Sequence, residues 1–147
     1  MIKFTLLTLL SLVLLSCNKP SNTQTELRTS SSSKLNKDSA VLKRISLNEA
    51  KKLVENQKTN GLTIIDLRTP QEYQSGHMEN AINIDFYKNF KENINKLDKN
   101  KQYLIYCRSA NRSRASLKIM KDLKFKNVLE LDKGIKVWAR NGWKLVR

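Results

Sequence analysis

Eight residues in the stretch LIYCRSANRSRAS (Leu104–Ser116) hold one cysteine and three arginines, Cys107, Arg108, Arg112 and Arg114. A structural cysteine is usually a small buried hydrophobe with apolar neighbours. A thiol set among guanidinium groups is instead stabilised as thiolate, the form that acts as a nucleophile. The apolar run before Cys107 reads as a buried strand, and SRASLKIM begins a helix a few residues later. A loop between a strand end and a helix start exposes backbone N–H groups, and the helix N-terminus adds partial positive charge. Residues 107–113 therefore combine a nucleophile, Cys107, with an anion receptor built from Arg108, Ser109, Ala110, Asn111, Arg112 and Ser113.

The elements around this loop alternate between strand and helix patterns. VLKRI is a strand candidate. SLNEAKKLVENQ has Ser46 and Glu49 at capping-box spacing, with Leu47, Ala50, Leu53 and Val54 on one helical face. LTIIDL is a continuous apolar run, as expected for a strand covered on both faces. TPQEYQSG places Thr69 as N-cap, Pro70 at the first helical position, Glu72 in the capping box and Gly76 as the stop. AINI is a short strand, and DFYKNFKENINKL a helix capped by Asp85. QYLIYC is a second buried strand. The helix after it has apolar positions at Ala115, Leu117, Ile119, Met120 and Leu123. NVLELD is a strand, and KGIKVWARNG a final short helix ended by Gly142. Strands separated by helices predict an α/β fold, an open sheet of mostly parallel strands with helices on both faces. In such sheets, sites form at the carboxyl ends of strands, where Cys107 falls.

The chain has 147 residues, with 28 Lys+Arg against 13 Asp+Glu and a formal charge of +15. That length suits one folded domain. The lysines are scattered singly, aromatics are few, and no basic helix interleaves stacking residues. The charge thus reads as a basic surface coat, and nucleic acid is not an expected partner. The N-terminus, MIKFTLLTLLSLVLLSC, has Lys3 and then a 12-residue apolar run, Phe4–Leu15. That is short for a membrane span of roughly 20 residues and fits a signal-peptide core. It ends in LLSC, which resembles a bacterial lipobox, with cleavage after Ser16 and lipid on Cys17. An uncleaved anchor or a plain secretory signal are the alternatives. Three regions are expected: a signal peptide over 1–16, a lipidated Cys17 and polar tether over 17–40, and a folded domain over 41–147. The tether is too poor in apolar residues to fold and would reach on the order of 25 Å. The domain would then be held on a membrane, outside the cytoplasm, in the periplasm or at the surface. With Cys17 lipidated, Cys107 has no partner thiol.

Three motifs together resemble the rhodanese (thiosulfate sulfurtransferase) family. CRSANRS is similar to the family's active-site loop C-R-x-G-x-R-S. IIDLRTPQEYQSGHMENAINID resembles its first signature through Asp66, Arg68, Glu72, Gly76, His77, Ala81, Asn83 and Ile84. LDKGIKVWARNGWKL resembles its closing signature through Gly134, Trp138 and Gly142. The resemblance implies that Cys107 takes the outer sulfur of an anionic donor such as thiosulfate as a persulfide and passes it to a thiol or cyanide. Arg108 and Arg112 would bind the donor. It implies no metal and no organic cofactor, and a monomer is expected. Asp66, Arg68 and His77 are expected to brace the site, and Trp138 and Trp143 to pack. Phosphatases of the C-x5-R type carry arginine where this chain has Ser113. A shorter loop suits sulfur, which makes phosphatase or arsenate reductase chemistry the lesser alternative. A non-catalytic anion- or protein-binding module is the other.

Three positions depart from the family pattern, with Ala110, Asn80 and Lys133 standing where glycine is usual. If position 110 requires a positive φ, alanine there costs on the order of 1 kcal/mol. Asn80 and Lys133 are expected to alter local packing more than chemistry.

Overall fold

The computed structural model describes residues 40–147. The expected signal peptide, Cys17 and the tether as far as residue 39 lie outside the described residues. Five strands, β1 (Val41–Ile45), β2 (Thr63–Asp66), β3 (Ala81–Asn83), β4 (Gln102–Tyr106) and β5 (Asn127–Leu131), form one sheet in the order β1-β5-β4-β2-β3. Every pairing between them is parallel. The helices are α1 (Leu47–Glu55), α2 (Gln57–Asn60), α3 (Pro70–Gln74), α4 (Phe90–Asn95), α5 (Asn111–Asp122) and α6 (Ile135–Arg140).

Strand side chains alternate between two cores. Ile64, Leu104, Tyr106, Leu129 and Leu131 pack with Ala50 of α1 and with Ile135 and Trp138 of α6. Ile65, Tyr103, Ile105 and Val128 pack with Phe90 and Ile94 of α4 and Met120 of α5 on the opposite face. Both faces of the sheet are therefore covered, as its continuous apolar strands require. The topology also locates a crevice. From β2 the chain steps outward to β3, then returns to the other side of β2 as β4 and continues to β5. The direction reverses between β2 and β4, so the helices after these strands diverge and open a gap at their carboxyl ends. Asp66 ends β2, and Cys107 directly follows β4.

Both capping boxes are present, Ser46 with Glu49 and Thr69 with Glu72. Two expectations need correction. Asp85 does not cap α4; its carboxylate accepts from the Tyr87 amide in a local turn at 2.9 Å, and the helix starts five residues later behind Asn89. Short side-chain–backbone bonds of this kind compete with helix initiation. (Residues 57–60 form a further helical turn, ended by left-handed Gly61.) Ala115 is exposed on α5, whose sheet-facing side instead carries Ser113, Ser116 and Met120.

Asn80, Ala110 and Lys133 all lie in the left-handed region, at φ 61°, 71° and 59°. The backbone keeps at these positions the conformation that glycine adopts without cost. A Cβ there meets the following carbonyl, and asparagine tolerates this better than most residues. Ala110→Gly and Lys133→Gly should each stabilise the domain by about 1 kcal/mol, and Asn80→Gly by less. Denaturant midpoints of the three variants would test that order.

Candidate active site

Cys107 is buried, with 1% of its surface exposed. It belongs to the core on the α4/α5 face. Its loop is fixed from below by main-chain bonds. The Ile135 amide donates to the Cys107 carbonyl at 2.8 Å and the Lys136 amide to the Arg108 carbonyl at 3.2 Å. These donors open α6, where the first N–H groups lack carbonyls one turn back. Gly134 permits the contact. A Cβ at this position would lie 2.5 Å from the Cys107 oxygen and 2.7 Å from the Arg108 carbonyl carbon, with φ at +69°.

The far end of the loop enters α5. Ala110 caps the helix in the left-handed conformation, with no side-chain capping bond. The turn it makes brings the N-terminus of a 12-residue helix to the cysteine. The partial positive charge at that end favours an anion there, whether thiolate or bound ligand. Ser113, in the first turn, is fully buried, with its hydroxyl 3.7 Å from the Cys107 sulfur. Ser109 and Asn111 are exposed on the loop.

The two arginines expected to bind the donor stand in different surroundings. Arg112 Nη1 and Nη2 donate to the two carboxylate oxygens of Glu72 at 2.6 and 2.9 Å. Its guanidinium also lies 5.6 Å from the centre of the Tyr87 ring. The hydrogen bond from Arg112 is the main cause that pulls the Glu72 carboxyl down to about 2. Arg108 is exposed and has no ion pair among the described residues. It borders a cavity of about 330 Å³ that is also lined by Arg68, Glu72, Ile135 and Lys136. A larger cavity, about 400 Å³, lies between α1, α2 and the Trp138–Trp143 pair and includes no residue of the cysteine loop.

Asp66 and Arg68 form a buried pair, with the Arg68 Nη2 donor 2.6 Å from Asp66 Oδ2 and 2.7 Å from the Gly76 carbonyl. This pair ties the end of β2 to the turn after α3. Asn83 adds side-chain bonds to the Asp66 and Arg68 carbonyls. His77 lies apart from the sulfur's neighbours. Its Nδ1 is 3.0 Å from the Tyr73 carbonyl, its ring stacks on Tyr73, and its main chain bridges Val146.

Two features were not identified in the sequence. The first is the Arg112–Glu72 pair, whose members are 40 residues apart; the capping box and the family signature account for Glu72 without this partner. The second is Glu130, a fully buried carboxylate on β5. It accepts from the Ser113 hydroxyl at 2.9 Å and from Arg44 Nε at 2.8 Å. Its signal was available: Glu130 is in strand phase with inward-facing Val128, where an apolar residue is the ordinary choice.

Comparison with known proteins agrees with this architecture. Residues 46–141 match the family described as "Rhodanese-like domain". A protein called "Sulfurtransferase" in Allochromatium vinosum is 30% identical over 88 residues, 60% of this chain and 81% of that protein. The "Thiosulfate sulfurtransferase GlpE" of Pseudomonas entomophila is 29% identical over 96 residues, covering 65% and 84%. "Putative sulfur carrier protein YrkF" of Bacillus subtilis is 30% identical, but the match spans only half of its length. Among solved structures, a rhodanese-related protein from Thermoplasma volcanium superposes with a TM-score of 0.61 at 30% identity, over 71% of this chain and 97% of that one.

Two outcomes test the site's construction. Gly134→Ala should lower stability by about 2 to 4 kcal/mol, because the added methyl overlaps main chain that cannot move aside; thermal unfolding would measure this. The depressed Glu72 carboxyl contributes stability that is present above its unfolded value near 4.5 and is lost as pH falls towards about 2. Solvent still reaches that carboxylate, so about 1 to 2 kcal/mol is the expected size. In Glu72→Gln, denaturation between pH 5 and pH 2 should lose that part of its pH dependence (limits on the order of the two carboxyl values).

Proposed function

Because the chain belongs to the rhodanese-like domain family, we propose that it is a sulfurtransferase carrying sulfane sulfur on Cys107. The observation that carries the reading is the placement of one thiol at the N-terminus of α5, on a loop whose carbonyls are held by the first amides of α6, at the crevice between β2 and β4. The Cys107 thiolate attacks the outer sulfur of thiosulfate or a related sulfane donor. The new bond joins Cys107 Sγ to that sulfur, and the donor S–S bond breaks, so that sulfite leaves with the electron pair. The resulting persulfide anion is held by amides at the start of α5. A thiol, as thiolate, or cyanide then attacks the terminal sulfur, and Cys107 leaves as thiolate. The relatives named sulfurtransferases support this class of reaction.

Arg108 receives the donor's negative charge, since it is exposed beside the crevice. Arg112 is held by Glu72 and supplies field and shape to the loop more than a free docking group. A phosphate dianion is a poorer ligand. The position that carries arginine in C-x5-R phosphatases is Ser113, and the Glu130 carboxylate lies 2.9 Å behind it. The N-terminal LLSC sequence supports lipid anchoring through Cys17 outside the cytoplasm. Cys17→Ala should move the protein from the membrane fraction to the soluble fraction.

Mass spectrometry of the full chain after thiosulfate treatment tests the chemistry. A gain of one sulfur on Cys107, removed by cyanide, is expected; Cys107→Ser should show none while keeping the parent's circular dichroism. Arg108→Ala should raise the KM for thiosulfate about tenfold, an interaction of ordinary charge-assisted strength, with a smaller change in kcat. Absence of the sulfur adduct in the folded parent would rule out the reaction.

A further inference from the structure

We propose that Glu130, paired with Arg44, is a positioning residue that governs the ionisation of Cys107 through the single hydroxyl proton of Ser113. This rests on Cys107 being the sulfur carrier, as proposed above. Three acceptors compete for the Ser113 hydroxyl: the Glu130 Oε1 atom at 2.9 Å, the Ala110 carbonyl at 3.2 Å and the Cys107 sulfur at 3.7 Å. A hydroxyl has one hydrogen and two lone pairs. The buried carboxylate is the nearest and the only charged oxygen, so it takes the hydrogen when Cys107 is a thiol. The Ser113 oxygen then presents a lone pair to the sulfur and can accept from its S–H.

Loss of the thiol proton reverses the preference. The new thiolate competes for the same hydrogen, and to receive it Ser113 must release Glu130. The carboxylate also repels the thiolate directly across the hydroxyl. Both effects oppose ionisation of Cys107 and offset the attraction of the α5 N-terminus and of Arg112. The charged groups facing this arrangement come from several elements. Arg112 is on α5, and Glu72, beside α3's first turn, neutralises part of its charge. Arg44 from β1 binds Glu130 at 2.8 Å and lies 3.6 Å from Asp132 on the chain after β5. The functional sense is a balance. A thiolate stabilised without opposition becomes a weaker nucleophile as its basicity falls. A counter-charge acting through one rotatable hydroxyl keeps the sulfur reactive, and the hydroxyl turns to the sulfur when negative charge forms there.

The test follows the Cys107 13Cβ resonance against pH in the full chain, a readout that needs no sulfur donor. Glu130→Gln removes the charge and frees the Ser113 proton. It should move the ionisation midpoint down by about one pH unit, which is about tenfold more thiolate at a fixed pH below the midpoint. In the Ser113→Ala background the same substitution should produce less than half of that displacement. Arg44→Gln, on a half-exposed edge strand, strips this buried carboxylate of its counter-ion, which favours the neutral acid, so it should move the midpoint in the same direction as Glu130→Gln; this arm decides the matter if Glu130→Gln does not fold. A midpoint unmoved in folded Glu130→Gln, an equal displacement with and without Ser113, or an unmoved or raised midpoint in Arg44→Gln would overturn the proposal. If these displacements appear but the parent takes up no sulfur from thiosulfate, only the sulfur-carrier reading fails; if the parent takes up sulfur with no displacement, only the Glu130 role fails.

Discussion

The site depends on the grip of α6 on the carbonyl side of the cysteine loop. A peptide group has its N–H and C=O on opposite sides, so bonds from Ile135 and Lys136 to the carbonyls of Cys107 and Arg108 also fix the orientation of the following amides. Gly134 makes this possible by bringing one backbone against another at a distance that a side chain would prevent. The left-handed turn at Ala110 then completes the loop and presents the start of α5 to the sulfur. The cysteine loop is thus attached to the end of central β4, whose last four residues are all buried.

Much of this arrangement could be read from the chain. LTIIDL and QYLIYC are continuous apolar runs, and both are central strands covered on two faces. Ser46 with Glu49 and Thr69 with Glu72 have local, spacing-dependent signatures and form the bonds that those signatures predict. The glycine usual at position 110 in the family pattern makes a positive φ one possibility there, and the backbone adopts it. Asp85 marks a limit. An aspartate before a helical pattern can cap the helix or close its own turn, and the two differ by interactions of similar strength. On α5, Leu117, Ile119, Met120 and Leu123 pack in the core as expected, and only Ala115 does not, because Ser113 and Ser116 face inward in its stead. Ser116 bonds to the Arg112 carbonyl and Ser113 to Glu130, so their polarity is satisfied internally and hydropathy gives no signal.

The long-range pairs were not legible for a different reason. Arg112 and Glu72 meet only because β2 and β4 are neighbours, and sheet order is not encoded in the spacing of either segment. The same holds for Arg44 and Glu130, which meet because β5 returns to lie beside β1 in register, with Arg44 opposite Glu130. Each pair could be suspected from one member only. Glu130 breaks an inward strand phase, and Arg112 stands in an anion-binding motif. The partner in each case is supplied by topology.

These two pairs change how the loop's positive charge should be understood. Counting arginines in CRSANRSR suggests a field of three cations around one sulfur. In the folded chain Arg112 is neutralised by Glu72, and the buried Glu130 carboxylate stands behind Ser113 with Arg44 as its own counter-ion. The net local charge from side chains near the sulfur is therefore smaller than the composition implies. Main-chain amides of the loop and the α5 N-terminus then have a larger share in any anion stabilisation, and these groups are fixed by the fold instead of by flexible side chains. A charge-balanced first turn of α5 also costs less to bury than an uncompensated guanidinium cluster. The exposed Arg108 remains to meet a donor arriving from solvent. On the proposed sulfur-carrier reading, steering of the donor and stabilisation of the sulfur anion fall to different groups of one six-residue loop.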